Sequence, residues 1–148
     1  MNETEETRTA KKLIIYCSDT RVDLWKRIKK HLIPAGEWWQ PLGFLGGAIS
    51  LAHSEHLPLE YAVLMVKQIP FAIRKFPTIK EVVLVGHDCG YYEDIPRGMN
   101  FTVEDKEKDL RKAAALLRRH FPNMKVSAFF AEKKDSEFKR IKCRRTKQ

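Results

Sequence analysis

No apolar run in this chain approaches the roughly 20 residues that a membrane span requires. The first twelve residues, Met1 to Lys12, alternate Glu and Thr with Arg and Lys, and so lack the apolar core of a signal peptide. The expectation is a soluble, cytoplasmic protein with no membrane partner. Cysteine is scarce: Cys17, Cys89 and Cys143 are an odd number without disulfide-framework spacing. A disulfide scaffold is therefore excluded, leaving buried small side chains, metal ligands or reactive thiols. There is no Cys-x-x-Cys pair, no internal repeat and no linker composition. Gly43-Phe44-Leu45-Gly46-Gly47 lacks the spacing and the Lys-Ser/Thr partner of a nucleotide fingerprint.

What is present suits one domain of 148 residues, 43% hydrophobic and 32% charged, a length that buries roughly two-thirds of its unfolded surface. The net charge is +9, of which Lys133 to Gln148 supply +6. The chain divides into an N-terminal segment (1–11), a globular domain (12–134) and a basic C-terminal tail (135–148). Such a tail is ordinarily a solvated appendage. Contact with nucleic acid is the sharper reading, without support from interleaved aromatic residues after Phe138.

Lys12 to Cys17 is a short apolar run of buried-strand type, and Val22 to Ile33 has helical spacing ended by Pro34. Glu37 to Leu42 is a second strand candidate, and Ala48 to Ala52 is a short apolar stretch. Pro58 to Phe76 reads as a long helix kinked or divided at Pro70. Glu81 to His87 carries the strongest strand signal, Thr102 to Phe121 is a capped helix, and Lys125 to Ala131 is a last strand. This alternation predicts an α/β fold with a mainly parallel central sheet flanked by helices. Ligands of such sheets collect beyond the carboxyl ends of the strands.

At those ends stand Cys17-Ser18-Asp19-Thr20-Arg21 and Gly86-His87-Asp88-Cys89-Gly90. If the two strands are parallel neighbours, Cys17, His87 and Cys89 bring two thiolates and an imidazole together, a donor set suited to zinc. Gly86 and Gly90 would let the chain bend around the ion. Two readings fit Cys17, a ligand and a plain core residue. Asp19 and Arg21 likewise fit either an ordinary loop ion pair or a bidentate pair beside a metal, which would keep Asp19 off the ion. His31, His53 and His56 are read as surface histidines, any of which could assist proton release. Trp38, Trp39, Phe44 and Leu45 are core candidates that would alternatively line an apolar pocket.

The Cys-x-Asp-x-Arg motif at positions 17–21, followed by Gly86-His87 and Cys89-Gly90, resembles the beta-class carbonic anhydrases, with similarity running from about Lys12 to Lys134. The resemblance implies a beta-carbonic-anhydrase-like fold and zinc bound by Cys17, His87 and Cys89. Asp19 and Arg21 would be the dyad that orients the reacting water. It also implies a homodimer or higher homo-oligomer, and a lyase that reversibly hydrates carbon dioxide to bicarbonate. The chain departs from the family in having only Asp88 between His87 and Cys89, where the family has two residues. It also lacks the family's Arg-Asn-Ala-Gly segment after the second strand. These departures keep two alternatives open. One is a zinc-binding relative without hydratase activity, acting through binding or regulation. The other is a zinc hydrolase acting on carbonyl sulfide or carbon disulfide.

Overall fold

The computed structural model describes residues 9–18, 23–87, 95, 101–132 and 138–142. Five strands form one mixed sheet in the order β2-β1-β3-β4-β5. They are β1 (Ala10–Tyr16), β2 (Trp38–Gly43), β3 (Glu81–Gly86), β4 (Lys125–Ala131) and β5 (Phe138–Ile141). β1 runs parallel to β2 and β3, β3 runs parallel to β4, and β5 is antiparallel to β4. Register is fixed at one end by charge. Lys12, Glu81 and Lys125 stand opposite one another on three adjacent strands, with Glu81 3.4 Å from Lys12 Nζ and 3.5 Å from Lys125 Nζ.

Both faces of the sheet are covered, which is why its central strands read as continuous apolar runs rather than alternating ones. Leu13, Ile15, Val82, Leu84, Val126 and Ala128 face the larger core. There they meet α2 (Ile49–Ala52), the helical segment 58–75 and α5 (Val103–His120). Ile14, Val83 and Val85 point the other way, onto Leu24 and Ile28 of α1 (Leu24–His31). α5 starts in a capping box. Thr102 Oγ1 accepts from the Asp105 backbone N–H at 3.1 Å, and Asp105 Oδ2 accepts from the Thr102 N–H at 3.0 Å.

The segment expected as one helix interrupted at Pro70 is α3 (Pro58–Ala62), a π-helical stretch (Val63–Gln68) and α4 (Ile69–Lys75) in immediate succession. Proline offers no N–H and crowds the carbonyl four residues earlier, and a widened turn ahead of Pro70 accommodates both effects. Phe138–Ile141, inside the stretch read as a basic tail, forms the edge strand β5. Its Lys139 ammonium lies 2.7 Å from Glu107 Oε1 on α5, while Ile141 reaches the main core. Among the described residues no helix is long and apolar enough to cross a membrane.

Candidate functional site

The chain leaves β1 outward to β2 and returns to β3 on the opposite side, so the strand order reverses between β1 and β3. A crevice at such a reversal is where open α/β sheets take ligands. Cys17 directly follows β1 and His87 directly follows β3. Both are buried, at 3% and 6% exposure, and both line one small cavity of about 10 Å³, on the order of one water molecule's room.

The rest of the wall comes from two directions. Gly46, Ala48 and Ile49 approach from the loop after β2 and the start of α2, while Lys106, Asp109 and Leu110 approach from α5. Close backbone packing makes this possible. A Cβ on Gly47, whose φ is +51°, would meet the Cys17 backbone nitrogen at 2.9 Å. Gly47 therefore lets the loop lie directly on the end of β1. Gly86 has a packing role. It is not among the positive-φ glycines, and a Cβ there would meet Leu110 Cδ1 at 2.9 Å. Its lack of a side chain admits α5.

Among the described residues, His87 Nε2 is buried and finds no hydrogen-bond partner. Leaving a buried nitrogen unpaired costs about 1–3 kcal/mol, and such a group commonly marks a ligand site. A buried thiol-bearing residue and an imidazole nitrogen without a partner among the described residues, lining one cavity, are chemically a fit for zinc. Two of the three expected donors thus share the cavity. The third, Cys89, lies outside the described residues, as do Asp19, Arg21, Asp88 and Gly90. Among the described residues alone, no group of three His, Cys, Asp or Glu side chains is placed to hold a metal.

The histidines divide. His31 and His56 are exposed, but His53 is buried, at 7% exposure, because it caps the end of α2 against α5. Its Nε2–H donates to Asp109 Oδ2 at 2.8 Å, and its ring meets the edge of Phe101 at 6.1 Å between centroids. Asp109 also lines a second, open cleft with His53, Glu55, His56, Lys108 and Lys112. There the Glu55 carboxyl is held below its usual range, chiefly by a hydrogen bond to its own backbone, which outweighs the opposing effect of burial, with the nearby Lys112 ammonium adding to the lowering. Sequence reasoning passed over Lys106 and Asp109. The available signal was that Lys106 falls on the apolar stripe of α5 with Leu110, Ala113 and Leu117.

Trp38, Trp39, Phe44 and Leu45 are not among the described residues that line this cavity. Trp39 packs with Ile14 in the core on the α1 side, Trp38 and Leu45 are exposed, and Phe44 rests against the main core. No protein-family model matches the chain, and no curated protein matches it.

Proposed function

We propose that this protein is a zinc-dependent catalyst of the reversible hydration of carbon dioxide to bicarbonate, built on a mainly parallel sheet of the beta-carbonic-anhydrase type. One observation carries the reading. Two soft or borderline donors leave adjacent parallel strands at the point of strand reversal and meet in a single buried cavity, one of them with an unsatisfied nitrogen.

Cys17 and His87 would hold the metal, with Cys89 as the third donor. Bound zinc supplies a Lewis acid that lets water act as a nucleophile near neutral pH. The chain's own residues do the rest. Ile49, Val85, Leu110 and Phe130 give the wall an apolar character, which excludes bulk water and suits a small neutral substrate rather than a sugar or nucleotide. Asp19 and Arg21 are assigned to orienting the attacking water, with Arg21 keeping Asp19 ionised. The positions of Trp38, Trp39, Phe44 and Leu45 give no support to a pocket remodelled for carbon disulfide.

A homodimer belongs to the same proposal. Leu59, Val63 and Val66 form an apolar stripe along the helical segment 58–75, with Leu59 77% and Val66 70% exposed. Glu60 lies toward one end of it, with Lys67 and Arg74 toward the other, so two copies packed antiparallel would place opposite charges face to face.

The test combines metal analysis with stopped-flow hydration of carbon dioxide. The expected result is about one zinc per chain and a zinc-dependent rate that falls at least about 100-fold in His87→Ala. Zinc bound without hydration would leave a zinc-binding protein of another role. No zinc after purification under zinc-replete conditions would overturn the reading.

A further inference from the structure

We infer that Asp109 carries protons between the buried Cys17–His87 cavity and the open cleft beside it, with His53 as the positioning residue that holds it there. The inference rests on the proposed hydration for the source of the proton. When water adds to carbon dioxide, a C–O bond forms, an O–H bond of the water breaks, and each bicarbonate leaves one proton behind. Cys17 and His87, beside the point of release, are only 3% and 6% exposed, so the proton needs a route from buried groups to solvent.

Four side chains on the described wall bear polar atoms or sulfur: Cys17, His87, Lys106 and Asp109. The first two are assigned to the metal. A lysine ammonium has donors but no lone pair, so Lys106 accepts nothing while charged. Asp109 accepts, and it is the one residue shared by the walls of the cavity and the cleft as described. Its carboxylate takes a proton on the cavity side and releases it to water on the cleft side, returning to its starting charge. The reverse passage serves dehydration. The Nε2–H bond from His53 at 2.8 Å, with Phe101 edge-on to that ring, fixes the carboxylate between the two spaces. Lys106 shares the inner wall with Asp109, Asp105, Lys108 and Lys112 flank it on the same helix along the cleft, and Glu55 and His56 line the cleft from the segment after α2, so a released proton emerges among groups able to pass it to buffer.

The deciding measurement needs no turnover. In chelator-treated protein labelled with ¹⁵N-histidine, solvent exchange of the His87 imidazole N–H reports proton access to the cavity. Asp109→Asn should slow it about tenfold or more. His53→Leu should slow it as well, whereas His53→Gln, which keeps an N–H donor, should restore most of the rate. Exchange in D109N equal to wild type overturns the inference. If D109N does not fold, equal rates in H53L and H53Q overturn it instead.

In zinc-loaded enzyme the same variants should lower kcat while leaving kcat/KM for carbon dioxide unchanged, with added imidazole buffer restoring kcat. The two proposals fail separately. Slowed exchange without any hydration keeps the proton path and removes the hydration reading. Normal hydration with unchanged exchange keeps the hydration reading and removes the path.

Discussion

The Cβ that Gly86 lacks would stand 2.9 Å from Leu110 Cδ1 and 3.1 Å from Leu110 Cγ. α5 therefore approaches the end of β3 at a distance that no other residue type permits without displacement. The same stretch of α5 brings Lys106 and Asp109 to the cavity wall. Gly86→Ala should cost about 1–3 kcal/mol through overpacking, read as a lowered denaturant midpoint. Combined with Leu110→Ala it should cost less than the sum of the two single changes, because the residues share one contact. Strict additivity would show that the helix shifts freely instead.

The Nε2 of His87, buried and without a partner among the described residues, sets stability against ligand binding. His87→Leu removes a nitrogen whose burial costs about 1–3 kcal/mol and keeps apolar volume in its place. Metal-free protein should become more stable by up to about that amount while losing zinc binding altogether. Chemical denaturation in the presence of chelator checks the first part, and metal analysis the second. A less stable H87L apo-protein would contradict the assignment of His87 as an unsatisfied donor.

Tyr16 gives a pH dependence with a definite sign. Burial raises its phenol above the ordinary value of 10.0, so the fold favours the neutral form. Its contribution is fully present below the unfolded value and is lost as pH rises through the higher folded value. Wild type should therefore lose stability in this alkaline range more steeply than Tyr16→Phe. Unfolding curves across that range, with phenolate absorbance recorded alongside, would show it.

The capping box on α5 is the cheapest way to loosen the site from a distance. Thr102→Ala removes the acceptor for the Asp105 N–H and should cost about 1 kcal/mol. Thr102→Ser should cost much less, because the hydroxyl is retained. Thermal melts of the two variants make the comparison.

Much of this architecture was legible in the sequence because it depends on local pattern. Glu81–Gly86 and Lys125–Ala131 are apolar enough to announce buried strands. The strand-end rule points to Cys17 and His87 from sequence alone, because each directly follows an apolar strand. β5 was not legible, since Phe-Lys-Arg-Ile sits in a basic run and gains its place from pairing with β4 and from the Lys139–Glu107 ion pair. The burial of His53 was equally hidden, because its partner Asp109 is 56 residues away along the chain. The π-helical turn before Pro70 depends on hydrogen-bond spacing that apolar periodicity does not encode.

The two outer strands bear on solubility. β2 carries the exposed Pro41, which has no N–H to offer a newcomer, and β5 presents Lys139 and Arg140 along the opposite margin. Proline and positive charge both discourage a sheet from recruiting strands of other molecules. Removing the four residues of β5 would uncover the backbone edge of β4 over residues 128–131, turning a guarded border into a template for fibril growth.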